Sequence, residues 1–179
     1  MKRIVWTFGL ISGAIMAVFM VATVPFIDDH GAKGLIVGYA GMVAAFLLVY
    51  FGVRSYRDNV LGGTISFARA FGAGILIAAI ASLFYVVTWE VIYYKFMPDF
   101  YTKYAESVVD RARKSGKSEA EIAAVRADMD TMVRRVENPL FVTVATFGEP
   151  FPVGLIIALV SAGVLRRKQT ERGTVLATA

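Results

Sequence analysis

Four long stretches of the chain consist almost entirely of apolar residues, and polar segments separate them. The stretches cover about residues 4–27, 34–53, 70–97 and 139–165. A helix needs about 20 residues to cross the hydrocarbon core of a bilayer, and each stretch meets that length. None of them shows the alternation of a membrane β-strand. The pattern therefore predicts an all-α membrane protein, built as a four-transmembrane-helix bundle.

The region 98–138, between the third and fourth spans, is amphipathic. Two runs of apolar residues recur there at helical spacing: Tyr101, Tyr104, Ala105, Val108, Val109 and Ala112, then Ile122, Val125, Met129, Met132, Val133 and Val136. Gly116 would end the first helix, and Ser118 with Glu121 matches a capping box that starts the second. We predict an antiparallel amphipathic helical hairpin whose apolar stripes pack together. Alternatively, its Tyr and Met surface docks a partner or lies on the outer leaflet.

The composition agrees with a membrane location. The chain has 179 residues, of which 57% are apolar and 18% charged, against about 45–50% and about 25% in soluble domains. The first span resembles a signal peptide, but it is long for one and lacks a clear cleavage site. We therefore expect an uncleaved helix and a single membrane domain over 1–179. The absence of cysteine excludes disulfides and thiolate metal sites.

The basic residues set the expected orientation. Nine of them flank the spans on one side: Lys2, Arg3, Arg54, Arg57, Arg69, Arg166, Arg167, Lys168 and Arg172. The first loop carries only Lys33, and the region 98–138 carries eight basic and eight acidic residues. The excess of positive charge on the cytoplasmic side of membrane proteins then places both termini in the cytoplasm and the hairpin outside. For a bacterial protein this is the inner membrane.

This asymmetry also accounts for the net charge of +5, so no nucleic-acid partner is expected. The bilayer itself is the predicted partner. Arg54, Arg57 and Arg69 lie at headgroup depth, where anionic lipid headgroups are the default contact. A specific anionic ligand for these arginines is the alternative.

Small residues recur every four positions in all four spans. They are Gly9 and Gly13, then Gly34 and Gly38, then Ala70, Gly74, Ala78 and Ser82, and finally Gly154, Ala158 and Ala162. Such ridges let helix backbones approach closely in lipid. They predict tight packing, either between helices of one chain or onto a second copy.

Two carboxylates interrupt the apolar spans. Glu149 lies about 15 Å below the outer end of span four by the helical rise, near the midplane, and Glu90 lies about 10 Å below the outer end of span three. A carboxylate at the bilayer centre costs at least about 2.5–3.5 kcal/mol, so it is normally buried in the bundle and neutralised or paired. We expect the two acids to assist each other if the two spans are neighbours.

Prolines surround the deeper of these acids. Pro150 and Pro152 have no N–H, so the carbonyls of Thr146 and Gly148 lose their usual helical donors. Together with Thr143 and Thr146, these groups would form a polar pocket at a broken helix, an arrangement that recurs at ion and substrate sites in membranes. The structural alternative is a kink that shapes packing and a protonated Glu149 that bonds a neighbouring helix. Glu90 would then reach an interfacial belt with Tyr93, Tyr94 and Lys95.

Other chemistry is weakly represented. His30 beside Asp28 and Asp29 only loosely resembles a metal site, and a solvated turn is the better interpretation. No nucleophile–base set or phosphate-binding glycine loop is present, so neither an enzyme nor a cofactor is predicted.

Three segments carry a resemblance to a known family: "VGYAGMVAAFLLVYFGVRSYRDNVLGGTISFARAF", "ASLFYVVTWEVIYY" and "EPFPVGLIIALVSAGVLRRK". Together they resemble a bacterial family of small four-helix membrane proteins that is known only as a domain of unknown function. The resemblance covers nearly the whole chain. It implies the membrane class and a role shared among Gram-negative bacteria, and it carries no catalytic residues. It groups Glu149, Pro152, Gly154 and the Tyr56-Arg57-Asp58 stretch as one motif set.

Two functions remain open from the residues. The first is a non-enzymatic inner-membrane component that self-associates or binds a membrane-protein partner through its small-residue ridges. The second is a proton- or cation-linked small transporter or channel that uses Glu149 and Glu90.

Overall fold

The computed structural model describes residues 1–24 and 32–166, and only the backbone for residues 32–37. Within that part the chain is helical, without strands: α1 (Lys2–Thr23), α2 (Ala32–Asn59), α3 (Phe67–Phe96), α4 (Phe100–Lys114), α5 (Glu119–Val136), α6 (Pro139–Phe147) and α7 (Pro150–Leu165). Four segments are long and apolar enough to cross a membrane: Lys2–Thr23, Gly38–Asn59, Phe67–Phe96 and Pro139–Leu165. This confirms the all-α class and the four predicted spans.

The helices fall into two compact units. The first contains Met1–Tyr85 and the residues from Pro150 onward, and so holds α1, α2, the beginning of α3, and α7. The second is Val86–Glu149, with the end of α3 and the helices α4, α5 and α6. The single domain over 1–179 stays a prediction.

In the first unit, glycines of α1 lie against side chains of α3. A Cβ placed on Gly9 would lie 2.9 Å from the Cβ of Ile80, and one placed on Gly13 would lie 2.6 Å from the Cβ of Phe84. Both pairs advance along the chain in the same direction, so α1 and α3 run parallel. The glycines are needed here because any side chain would overlap the neighbouring helix.

The small residues of α3 and α7 meet in the opposite sense. A Cβ on Gly74 would lie 3.0 Å from that of Ala158, and a Cβ on Gly154 would lie 2.8 Å from that of Ala78. These pairs make α3 and α7 antiparallel. The start of α1 and the end of α7 therefore lie at the same end of this unit. The small-residue ridges of spans one, three and four are thus used between helices of one chain, whereas Gly34 of span two lies outside the residues whose side chains are described.

Larger side chains fill the core of the first unit. Phe46, Val49 and Ile77 have no exposed surface, and they pack in one cluster with alanines of α2, α3 and α7. A polar link joins α1 to α2, because the buried Ser12 hydroxyl donates to the Ala45 carbonyl at 2.8 Å. Such a bond satisfies a hydroxyl that lipid could not solvate.

A tight turn joins α2 to α3. Gly62 and Gly63 have positive φ values of 67° and 93°, which only glycine adopts at little cost. After this turn, α3 begins at Phe67. Ile65 is 3% exposed and packs with Val53, Tyr56 and Ala70 of the first unit.

In the second unit, α4 and α5 form the predicted hairpin. Val109 and Ala112 of α4 and Ile122 of α5 are buried in one cluster, with Val125 and Met129 packed against it. The two stripes therefore pack together as expected. The position of the hairpin on the outer side of a membrane stays a prediction.

Both ends of the hairpin turn form as the sequence indicates. Gly116 has a φ of 73°. The Ser118 side chain accepts from the Glu121 N–H while the Glu121 side chain accepts from the Ser118 N–H, which completes the capping box. These hydrogen bonds from Ser118 lower the pKa of the Glu121 carboxyl. The box is therefore stable at neutral pH and is lost as the pH falls through that lowered pKa.

Replacement of Ser118 with alanine is expected to loosen the first turn of α5. Loss of an N-cap side chain costs about 1 kcal/mol of helix stability, which corresponds to a roughly fivefold change in an opening equilibrium. Hydrogen exchange at the amides of Glu121 and Ile122 should accelerate by about that factor. Ser118→Thr keeps the capping oxygen and should exchange at nearly the wild-type rate. Equal rates in all three proteins would contradict the capping role.

Candidate functional site

Glu90 connects two helices of the second unit. Its side chain is partly buried on α3, and its Oε1 is in hydrogen-bonding contact with the Thr143 hydroxyl of α6. The same hydroxyl lies 3.0 Å from the Pro139 carbonyl oxygen, one turn earlier on α6. The end of α3 and the helix α6 are therefore neighbours. This is the condition under which we expect Glu90 and Glu149 to assist each other.

Glu149 occupies the interruption of span four. The helix stops at Phe147 and restarts at Pro150, with Gly148 and Glu149 in a turn between them. The prediction that Glu149 is buried is wrong, because its side chain is exposed.

The two acids do not stand at the same level. Thr143, the partner of Glu90, precedes Glu149 by six residues, which is about 9 Å along a helix. Sequence reasoning places both acids within one turn of each other in depth. The structure separates them because Glu90 reaches the middle of α6 while Glu149 follows its end.

The two prolines differ in their surroundings. Pro150 is buried and Pro152 is exposed. The Thr146 carbonyl is not left free, since it accepts from the Glu149 N–H at 3.4 Å. This long bond replaces the one that Pro150 cannot donate. Thr146 itself is 4% exposed.

Aromatic residues cluster around Trp89, the residue before Glu90 in the chain. Trp89 Nε1 donates to the Tyr101 hydroxyl at 3.3 Å, and Tyr93 contacts both rings. Burial raises the pKa of the Tyr101 phenol, the hydrogen bond from Trp89 opposes this rise, and the Glu149 carboxylate adds to it. Sequence reasoning missed Trp89 and Tyr101 as neighbours of this site. The spacing of Trp89 and Tyr93, one helical turn apart, was the available signal.

The predicted headgroup arginines have different environments. The side chain of Arg57 is 11% exposed and binds Asp58 through Nε at 2.6 Å, while its Nη1 donates to the Leu165 carbonyl at 3.4 Å. Arg54 is 55% exposed and reaches Asp58 at 3.6 Å, and Arg69 is exposed. Arg57 thus caps the end of α7, where the free carbonyls favour a cation.

Replacement of Arg57 with lysine is expected to lower the stability of the first unit. Lysine keeps the charge but cannot bond Asp58 and Leu165 with one planar group. The hydrogen bond to the Leu165 carbonyl is part-buried, and its loss should cost about 0.5–1.5 kcal/mol. The thermal midpoint in detergent should fall for Arg57→Lys and change little for Arg54→Lys, whose side chain is exposed. An equal response of the two variants would contradict the capping role.

The remaining predicted site lies outside the described residues. His30, Asp28 and Asp29 belong to the segment 25–31, which the structure does not describe. Among the residues that it does describe, no group of three His, Asp or Glu side chains is arranged to hold a metal. The arrangement that can do chemistry is therefore the Glu90–Thr143 contact and the interruption at Glu149.

Comparison with known proteins gives a family for the chain and no activity. No curated protein and no solved structure matches it. One family model matches residues 7–167, and its description is "Protein of unknown function (DUF4199)". This agrees with the resemblance seen in the sequence. The match covers nearly the whole chain, which contains four helical segments suited to cross a membrane. The protein therefore belongs to the DUF4199 family, whose function is unknown.

Proposed function

We propose that this protein binds a proton or a small cation at the polar site of its second unit and acts as a small proton- or cation-linked transporter or channel. The contact of Glu90 with Thr143 carries the proposal. It fixes a carboxyl group to the helix that ends at the interruption bearing Glu149.

The energetics of the site support a ligand. Glu90 lies within the candidate span Phe67–Phe96, and a carboxylate inside a membrane-spanning helix is costly unless a partner neutralises it. Within the described part of the chain, no Lys or Arg forms an ion pair with Glu90. Interrupted membrane helices line substrate and ion sites in many transporters, because their free backbone groups face the ligand. A proton or a monovalent cation would supply the missing positive charge.

The proposal includes a location and an orientation. We place the protein in the bacterial inner membrane with both termini cytoplasmic, on the basis of its basic residues. Arg54 and Arg69, whose side chains are exposed, contact anionic headgroups, while Arg57 is committed to Asp58 and Leu165. A catalytic role is not part of the proposal.

A flux measurement in liposomes tests it. The purified protein is reconstituted, and proton, sodium and potassium flux are followed under imposed gradients. We expect Glu149→Gln and Glu90→Gln to reduce flux to the level of empty liposomes, because glutamine keeps the shape of the side chain but cannot bind the ion.

A matched variant controls for the chemical change. Glu106 is exposed on α4, so Glu106→Gln should retain wild-type flux. Absence of flux under every gradient in the wild-type protein would exclude transport and leave the binding role of a membrane component.

A second function has one observation in its favour. Gly38 on α2 is exposed, and no atom of the described side chains lies within 4 Å of a Cβ placed there. The neighbouring Tyr39 and Val43 are 49% and 45% exposed. This open face would admit a second copy or a partner helix. Because the chain has no cysteine, a single Val43→Cys variant reports on it. Disulfide-linked dimers of this variant in native membranes would support self-association through α2, and monomers alone would count against it. Val164→Cys, at an exposed position of α7, is the control for random collisions and should stay monomeric.

A further inference from the structure

We propose that the first unit contains a binding site for a soft monovalent metal ion, Cu(I), formed by the thioether sulfur atoms of Met16, Met20 and Met42. The site lies between α1 and α2. It belongs to the first unit, whereas the polar site of the proposed function belongs to the second. The inference therefore goes beyond the proposed function and does not depend on it.

The three methionines line one cavity of the first unit. Its volume is about 80 Å³, and a cavity can hold a water molecule from about 10–15 Å³ upward, so a metal ion fits inside. Met16, Met20 and Met42 are only 3%, 9% and 8% exposed. Thr23, the last residue of α1, also lines the cavity. The cavity therefore lies at one end of span one, where an ion reaches it without crossing the whole hydrocarbon core.

Two contacts fix the register of α1 against α2. The Ser12 hydroxyl donates to the Ala45 carbonyl at 2.8 Å. Seven residues further along α1, the Phe19 ring lies 3.3 Å from a Cβ placed on Gly41. The partner on α2 thus moves backward as the residue on α1 moves forward, so the two helices are antiparallel.

The methionines lie at the level of these two contacts. Met16 and Met20 are one helical turn apart, so their side chains share one face of α1. Met42 directly follows Gly41 on α2, and it belongs to the same buried cluster as Met16. Two sulfur atoms from one helix and one from the other therefore converge on the cavity.

The donor set selects a soft ion. Thioether sulfur is neutral and polarisable, and in proteins such ligands select Cu(I). Hard cations such as Mg²⁺ and Ca²⁺ need several oxygen ligands. The described residues that line the cavity carry no formal charge, and the Thr23 hydroxyl already donates to the Met20 carbonyl at 2.8 Å. Phe19 and Tyr85 also line the cavity, and aromatic rings attract cations through their faces.

Competition with a chromogenic Cu(I) chelator tests the site on the full chain in detergent, without oxygen. We expect the wild type to bind one Cu(I) per chain, with three sulfur ligands in X-ray absorption spectra. Leucine replaces methionine at nearly constant volume, so Met16→Leu, Met20→Leu and Met42→Leu each remove a ligand and keep the packing. Each should weaken binding by at least about tenfold, because loss of an outer-shell partner alone costs about 10–100-fold. The triple variant should not bind.

Two further measurements serve as controls. Met129→Leu and Met132→Leu make the same chemical change on α5 of the second unit, and both should bind Cu(I) as the wild type does. Ag(I) has the same charge and the same preference for sulfur. It should raise the thermal midpoint of the wild type and leave that of the triple variant unchanged, because only a ligand that binds the folded state stabilises it.

Three results would overturn the proposal. The first is a wild type that binds neither Cu(I) nor Ag(I), which would leave the methionines as core packing alone. The second is wild-type affinity in the triple variant, and the third is nitrogen or oxygen ligands in place of sulfur. Thermal midpoints without metal show which leucine variants are folded, and the three single variants decide the outcome if the triple variant is not.

Discussion

Replacement of Gly154 with leucine is expected to leave little folded protein. A Cβ at this position would lie 2.8 Å from the Cβ of Ala78 and 2.9 Å from the ring of Phe46. Alanine has no flexible end that can move aside, so α3 and α7 would have to separate. Overpacking of a tight core costs about 1–3 kcal/mol for extra methylenes, and a whole leucine side chain should reach or exceed the upper figure. A loss of this size is a large part of the stability of a typical domain, about 5–15 kcal/mol.

The same helix provides the control. Gly163 is exposed, and among the residues 1–24 and 32–166 no atom lies within 4 Å of a Cβ placed there. Gly163→Leu should fold normally and gain slightly from the better helix propensity of leucine. The measurement is the folded fraction during titration from mild detergent into sodium dodecyl sulfate. Similar curves for the two leucine variants would show that the close approach of α3 and α7 is not needed.

Replacement of Phe46 with alanine is expected to produce the second largest loss. The ring has no exposed surface and packs against Ala78 and Ala158 in the first unit. In soluble cores this change costs about 3–5 kcal/mol, part of it from transfer of the side chain out of water. In lipid the contribution from transfer of the side chain is smaller, because a helix separated from the bundle is also in an apolar medium. We expect about 3 kcal/mol, mainly from the cavity.

Phe51 on the same helix separates the two contributions. It is 49% exposed, so Phe51→Ala removes the same atoms without leaving a cavity. Its stability in the detergent titration should change by less than about 1 kcal/mol. If both alanine variants lost equal stability, the core would not depend on the packing of Phe46.

The sequence predicted local features of the fold well. Apolar length alone indicates the four spans, because nothing else satisfies a backbone in lipid. Gly116 and the pair Ser118 and Glu121 predict the hairpin turn, and Pro150 predicts the interruption of span four. Each of these depends on residues within a few positions of each other, so the local chain contains the required information.

The site was predicted only in part. Glu90 and Glu149 stand out in the sequence because charges are rare in apolar spans. Thr143 is predicted as part of the pocket at Glu149, but only folding brings its hydroxyl to Glu90. The contact of Tyr101 with Trp89 is likewise not visible along the chain. The exposure of Glu149 and the capping role of Arg57 also depend on contacts between distant segments. No pattern along one helix contains that information.

The sequence by itself determined that this chain has four segments suited to a bilayer, which of them contain small residues, and which positions carry costly charges. Only the tertiary structure decided that Gly154 meets Ala78 and Phe46, and that Glu90 meets Thr143. The physical reason is that lipid selects helices by their length and composition, residue by residue. It does not select which helices become neighbours. That choice depends on the fit of side chains across pairs of helices far apart in the chain.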